Sequence, residues 1–381
     1  MKKEIYITAL HLSHGGVEMA ISLMSSAFVK KGYSVTILSL YDLGTPAYKI
    51  APEVKIEYLT KVRPNREAFK EAIKSKNPFR ILKEGLYAVR VLRLKKTALV
   101  KRIKKIRDGI IISTRNEHSV LLSKYGNENV LKIAQLHHDH LFEKKLLSDI
   151  QNRYLNIDYF TLLTDQLTQE IGELIKEKNH KTRCVTLENF LEDQNFSVDF
   201  EKKEKKVLAV GRLHPVKGFD RLLDLWKDLS PRHPDWELIL VGDGEEEKNL
   251  KEISKKTQLS SVRFTGALDH GAVLDLMKKS SVYAMTSLSE GFPFVLIEAM
   301  SCGLPAVAYD VRVGPRAIIQ NESCGYLIED GNKEAFFHAI EKLMEDTDTR
   351  LAFSKNAFEH AKNFTEEKIV QKWLALFQHE I

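Results

Sequence analysis

"KVLAVGRLHPVKGFDRLL", residues 206–223, decides how this chain is read. Val207 to Val210 form an apolar run that ends on Gly211. Arg212 and Lys217 flank a short loop, and Phe219, Leu222 and Leu223 then recur at helical spacing. That is a strand, a tight loop and a helix. A strand this apolar has to be covered on both faces, which calls for a parallel sheet with helices on each side. Outward from this unit the pattern repeats as "WELILVGDG", "VRFTGA", "VYAMTS", "PAVAYD" and "GYLIE", each followed by an amphipathic stretch. Before it lie "EIYITAL", "YSVTILSLY", "VKIEYL", "GIIIST", "VLKIAQLHH", "IDYFTLLT" and "CVTLEN". The fold class expected is α/β, with two Rossmann-like doubly wound domains facing across a cleft. The boundaries expected are residues 1–188, a polar linker over 189–204, a second domain over 205–364, and a final helix, 365–381, packing back on the first domain.

Composition limits what such a chain can do. At 381 residues it exceeds one ordinary core, and 43% hydrophobic with 29% charged residues describes a water-soluble globular protein. Cys184, Cys302 and Cys324 are odd in number and scattered, which excludes a disulfide framework and a zinc spacing and points to a cytoplasmic setting. The start, "MKKEIYITALHLSHGG", is basic, but its apolar run is short and reads as a strand. No apolar run of membrane-spanning length follows.

The net charge of +6 is uneven. Residues 61–107 carry 17 Lys/Arg against three acids, a local balance of +14 that leaves the rest of the chain at about −8. Within this segment Leu82, Leu86, Val89, Leu92, Leu99, Ile103 and Ile106 recur near helical spacing. Two readings fit: a core-packed helix with a solvated basic face, or a surface resting on anionic lipid headgroups. Nucleic acid is not expected, because no stacking aromatics or recognition motif accompany the charge.

The candidate chemistry gathers in four places. In "LSEGFPFVLIEAM", residues 288–300, Glu290 precedes a helix and Glu298 lies inside it among apolar neighbours, where a carboxylate needs a partner. Pro293 suits the first helical turn, and the amides of Phe292, Phe294 and Val295, with Gly291 easing the turn, can face an anion such as phosphate. Arg212 and Lys217, five apart at a strand's carboxyl end, can embrace a diphosphate. "LSHGGVEMA", residues 12–20, puts Gly15 and Gly16 between a strand and its helix, where backbone approaches a ligand closely. In "KIAQLHHDH" His137, His138, Asp139 and His140 leave a strand toward alternating sides, so no metal site is expected from them. "LVGDGEEEKNL" lacks the third glycine and the distal acid of a dinucleotide fingerprint, so no nicotinamide or flavin cofactor is expected. Asp346 and Asp348 in "EDTDTR" sit in a polar turn far along the sequence from these motifs.

Together these residues resemble the nucleotide-sugar glycosyltransferases of family four, which have the GT-B architecture. "EGFPFVLIEAMSCGLPAVAYD" is similar to the family's E-x(7)-E signature, "VGRLHPVKGFDRLL" to its Arg/Lys loop and "HGGVE" to its amino-terminal glycine loop. "VRVGPRAII" and "GYLIEDGNKEAF" resemble members that build bacterial surface polysaccharides. The resemblance implies that Arg212 and Lys217 neutralise the leaving diphosphate, and that Glu298 binds the ribose. It implies that Glu290 and the amides after it hold the donor sugar and phosphates, and that Gly16 admits the diphosphate. His137, or its neighbour His138, approaches the sugar from the acceptor side. It further implies a retaining, metal-independent reaction with no cofactor, using a UDP-sugar as the expected donor and a glycan or lipid-linked acceptor. The setting implied is cytoplasmic, with the inner face of the plasma membrane as the place residues 61–107 would rest. A sugar isomerase or phosphorylase on the same architecture, and a non-catalytic nucleotide-sugar-binding protein, are the alternatives.

Overall fold

The computed structural model describes residues 2–192 and 197–379. The chain divides into two compact units, Met1–Leu187 with Val370–Ile381, and Glu188–Ile369. In the first unit the strands are β1 (Ile5–Ala9), β2 (Val35–Tyr41), β3 (Lys55–Thr60), β4 (Gly109–Ser113), β5 (Val130–Leu136), β6 (Tyr159–Leu162) and β7 (Arg183–Thr186). They pair in parallel in the order β3-β2-β1-β4-β5-β6-β7. Every residue of β1, β2, β4, β5 and β6 is buried, whereas the edge strand β3 is not, as sheet position dictates. The covering helices are α1 (Gly16–Lys30), α2 (Arg66–Lys74), α3 (Pro78–Lys105), α4 (Asn116–Tyr125), α5 (Lys144–Arg153) and α6 (Asp165–Ile175).

The second unit repeats the plan. Its strands β8 (Lys206–Val210), β9 (Glu237–Val241), β10 (Val262–Gly266), β11 (Val282–Met285), β12 (Ala306–Asp310) and β13 (Gly325–Glu329) lie parallel in the order β10-β9-β8-β11-β12-β13. The helices are α7 (Phe219–Leu229), α8 (Glu247–Lys256), α9 (His270–Lys279), α10 (Phe294–Ser301), α11 (Pro315–Ile318), α12 (Lys333–Glu345), α13 (Thr347–Ala361) and α14 (Glu366–Phe377), the last running on into the first unit. Trp226, Leu238, Phe336 and Ile340 centre a core between α7, α12 and the sheet. In each sheet the strand order reverses beside the first strand, between β1 and β4 and between β8 and β11. At such a reversal the loops leaving the carboxyl ends diverge and open a crevice.

Within the segment expected as a linker, residues 193–196 lie outside the described residues. Its flanks are held in the second unit: Asn189 Nδ2 donates to Phe292 O at 3.0 Å, and Leu191 bridges to Thr365. Lys203 Nζ donates to the carbonyls of Lys278 and Cys302 at 3.1 and 3.0 Å, where α9 and α10 end. Past Val370 the last helix belongs to the first unit, with Trp373 edge-on to Phe28 at 5.8 Å.

The basic segment folds as α2 and the 28-residue α3. Asn77 caps α3 by accepting the amides of Phe79 and Arg80. The core-packed reading holds for one half of this helix only. Leu99, Ile103 and Ile106 are buried, but Phe79, Leu82, Leu86, Val89 and Leu92 are exposed, Phe79 by 82%. Sequence periodicity does not separate the halves, because it reports an apolar face without reporting what covers it.

Candidate functional site

The carboxyl ends of β8 and β11 carry the predicted residues of the second unit. After β8 the chain passes Gly211 and Arg212 into a single turn, Pro215–Lys217, and enters α7 through Gly218 in the left-handed conformation (φ 61°). Leu288 N donates to Val216 O at 2.8 Å, and Thr286 Oγ1 donates to Gly218 O at 2.7 Å. A Cβ on Gly218 would lie 2.1 Å from Thr286 O, so glycine is needed there. This stitching fixes Lys217, whose stem runs 3.7 Å from the point where Gly211 lacks a Cβ. Lys217 Nζ reaches Glu290 Oε1 at 2.7 Å, and Ser287 Oγ donates to the same oxygen at 2.6 Å. The Lys217 side chain is 26% exposed and Glu290 9%. Arg212 is exposed and makes no ion pair among the described residues. Gly242 and Gly244 serve the same loop: Cβ atoms there would strike Gly211 O and Leu213 O at 2.0 and 2.3 Å. That close approach explains the G-x-G.

Helix α10 begins at Phe294, so Pro293 is its N-cap and lies one position ahead of the first-turn placement read from sequence. Its carbonyl accepts Leu296 N at 3.1 Å, a cap's bond, which the fixed proline φ permits equally well. The amides of Gly291, Phe292, Phe294 and Val295 have no acceptor among the described residues. Phe292 is buried against Phe364 at 5.5 Å, and Gly314 (φ 89°) packs so closely that a Cβ would sit 3.0 Å from Glu290 Cβ. Glu298 is buried and has the partner its apolar setting demanded: His270 Nε2, 2.8 Å from Oε1. The carboxylate holds the His270 pKa above the ordinary histidine value. His270 and Ser287 were not legible in advance, because each meets its carboxylate through folding and neither lies in a motif.

In the first unit the loops after β1, β4 and β5 hold His11, Arg115 and His137. Arg115 Nη2 donates to the buried Glu18 at 2.8 Å, and His11 Nδ1 lies 3.7 Å from the same oxygen. Glu18 curls over the entrance of its own helix, so a Cβ on Gly15 would lie 2.1 Å from its Oε2. Gly16 has open space above it. "HGGVE" therefore contains a third working residue, Glu18, beside its glycines. Both ring nitrogens of His137 are buried without a partner, and burial pushes its pKa down to about 3. His138 is exposed, while His140 is occupied by Glu170 at 3.0 Å and by the amide of Phe142. Asp346 caps α13 by accepting Thr349 N at 2.9 Å, a structural use of that acid pair. Among the described residues His233, Glu341 and Glu345 bring three possible ligand atoms within 4.8 Å of one another, but Glu341 is paired with Arg232 at 2.9 Å and none of the three stands in a sequence motif.

Two doubly wound parallel domains with this loop chemistry define a glycosyltransferase of the GT-B class, and the comparisons agree. Residues 190–360 match the family described as glycosyl transferases group 1. The amylovoran biosynthesis glycosyltransferase AmsD of Erwinia amylovora is 31% identical over 94% of this chain and 95% of its own. A Campylobacter jejuni N-acetylgalactosaminyltransferase named for a diphospho-undecaprenol-linked acceptor is 24% identical over 94% and 95%. The solved structure of S. aureus TarM with fondaparinux, α-GlcNAc-glycerol and UDP superposes with a TM-score of 0.77 at 16% identity, covering 99% of this chain and 100% of that one. The chain belongs to the group 1 glycosyl transferases.

Proposed function

We propose that this glycosyltransferase moves a sugar from a UDP-sugar to a glycan or lipid-linked acceptor in bacterial surface-polysaccharide synthesis, with retention of configuration and without a metal or other cofactor. The names of the Erwinia and Campylobacter relatives and the UDP bound to TarM support the substrate classes. One observation carries the reading: the loops leaving the neighbouring strands β8 and β11 bring together the Lys217–Glu290 pair and four amides with no acceptor among the described residues, and the β8 loop also carries Arg212, which has no ion pair among them. Cleavage of the anomeric bond builds negative charge on the departing diphosphate, and fixed cations and helix-start amides stabilise it as it forms. Arg212 and Lys217 are assigned to that charge. When diphosphate draws Lys217 away, Glu290 is freed to accept hydroxyls of the donor sugar. Glu298, oriented by His270, is assigned to the ribose, and Gly16 to a close approach by the diphosphate. His137, neutral through its burial, is assigned to a sugar hydroxyl as a hydrogen-bond partner.

No helix among the described residues is long and apolar enough to cross a membrane. The exposed apolar stripe of α3, flanked by the exposed Lys83, Arg90, Arg93 and Lys96, instead suits a peripheral seat on an anionic cytoplasmic leaflet. Product analysis tests the reaction. Transfer from a UDP-sugar should persist in EDTA and yield the donor's anomeric configuration, and it should be lost in Lys217→Ala and Glu298→Ala. Undiminished transfer in both variants would end the assignment. Flotation tests the seat: equal recovery on neutral and anionic vesicles at low salt removes it.

A further inference from the structure

Below the carboxyl half of α3 the first unit contains a cavity of about 220 Å³ that the reaction described above leaves unused. Its floor is buried and mainly apolar, made by Leu40 of β2, Leu99 of α3 and Val120 of α4, with the imidazole of His118 as its buried polar group. Leu92 and Leu121 stand at its mouth, the first exposed and the second half-buried. At about 30 Å³ for a water-sized group, the space holds roughly seven methylene-sized groups, a short length of hydrocarbon. Around it stand four cations, Lys95, Lys96, Lys145 and Arg153, against two carboxylates. Glu117 pairs with Lys95, and Asp149 pairs with both Lys145 and Arg153 at 2.8 and 2.9 Å. Lys96 is exposed and has no partner among the described residues. Greasy floor and cationic rim together are the complement of one kind of molecule, a hydrocarbon chain ending in phosphate.

The cavity is continuous with the exposed stripe. Leu92 ends the row Phe79, Leu82, Leu86, Val89 and also lines the cavity mouth, so a chain leaving the cavity runs onto an apolar track along α3. The apolar surface of α3 therefore leads somewhere, which an ordinary solvated helix face does not.

We infer that this cavity seats the first isoprenoid units of a polyisoprenyl-diphosphate acceptor, with Lys96 and the neighbouring rim cations on its phosphates. The inference rests on the lipid-linked acceptor of the proposed function, and it assigns that lipid a site inside the first unit.

Geranyl diphosphate, ten carbons and soluble, is the probe. Titrated calorimetrically into the full chain, it should bind once per chain, at least tenfold more tightly than inorganic diphosphate or geraniol. Leu121→Trp, which closes the mouth, and Lys96→Glu, which reverses an unpaired exposed charge, should each weaken binding fivefold or more while leaving UDP affinity unchanged. Lys96 is exposed and has no partner among the described residues, so Lys96→Glu reads cleanly even where the tryptophan disturbs packing. Inorganic diphosphate binding as tightly as the prenyl compound, or both variants binding like the parent, would overturn the inference. So would short-chain phosphatidylglycerol binding more tightly than geranyl diphosphate, which would make the cavity a seat for bilayer lipid. Transfer to a water-soluble glycan by a protein that ignores geranyl diphosphate would sink the lipid site and leave the proposed reaction standing.

Discussion

Lys217 Nζ lies 2.7 Å from Glu290 Oε1 and so ties the loop leaving β8 to the loop leaving β11, across 73 residues of sequence. The two strands are neighbours in the sheet, which is why groups so far apart along the chain meet. Removing the lysine leaves a largely buried carboxylate without its cation. Lys217→Ala is expected to cost roughly 1–3 kcal/mol in urea unfolding and to reduce transfer by about a hundredfold or more. Ser287→Ala, which keeps the ion pair, should cost under about 1 kcal/mol and retain most transfer.

Gly218 and Gly16 are predicted to respond in opposite ways to alanine. At Gly218 the left-handed φ and the 2.1 Å approach of Thr286 O leave no room, so a loss of roughly 2–4 kcal/mol is expected. At Gly16 nothing lies within 4 Å of the new methyl, so the fold should hold or gain up to about 1 kcal/mol. Transfer by Gly16→Ala should nonetheless fall about tenfold if a diphosphate passes close to that backbone. Thermal denaturation and turnover measured side by side separate the two cases.

His118 sets an acid limit on stability. It is buried, its Nδ1 lies 2.9 Å from Thr8 Oγ1, and burial pushes its pKa down to about 3. The unfolded chain binds this proton near pH 6.5 and the folded chain does not, so the contribution is fully present above 6.5. It is lost as pH falls toward 3, at about 1.4 kcal/mol per pH unit. Unfolding free energies across that window should slope accordingly, and His118→Gln should flatten the slope by a similar amount.

The His270–Glu298 pair has the opposite sign. The raised His270 pKa means its contribution is present below pH 6.5 and fades as pH climbs through the folded value. His270 is 54% exposed, so solvent screening keeps the effect under about 1 kcal/mol. A double-mutant cycle with His270→Ala and Glu298→Gln should show coupling at pH 6 that shrinks by pH 9. Coupling unchanged over that range would mean the histidine does not carry a charge in the pair.

The alternation of apolar runs with amphipathic stretches revealed all thirteen strands described above, because strands covered on both faces read as near-continuous apolar runs, and the less buried β3, β7 and β10 still carry β-branched or aromatic residues. Arg212, Lys217 and Glu290 were legible because each sits at a strand's carboxyl end or ahead of a helix, positions that local pattern marks, and Glu298 because it is a carboxylate among apolar neighbours inside a helix. Their partners were not. His270 and Ser287 meet carboxylates through the fold, and Glu18 draws its role from Arg115, 97 residues away in a different loop. Nothing local encodes such a distance.

Helix α3 divides the two kinds of information most clearly. Sequence by itself determined that the basic segment 61–107 would hold a helical stretch, apolar along one side from Leu82 to Ile106, since side-chain geometry and charge are local properties. Only the tertiary structure decided that Leu99 and Ile103 lie inside while Leu82, Leu86 and Val89 stand in solvent. Burial depends on which neighbouring elements reach a surface, and that is settled by the packing of the whole unit around its sheet.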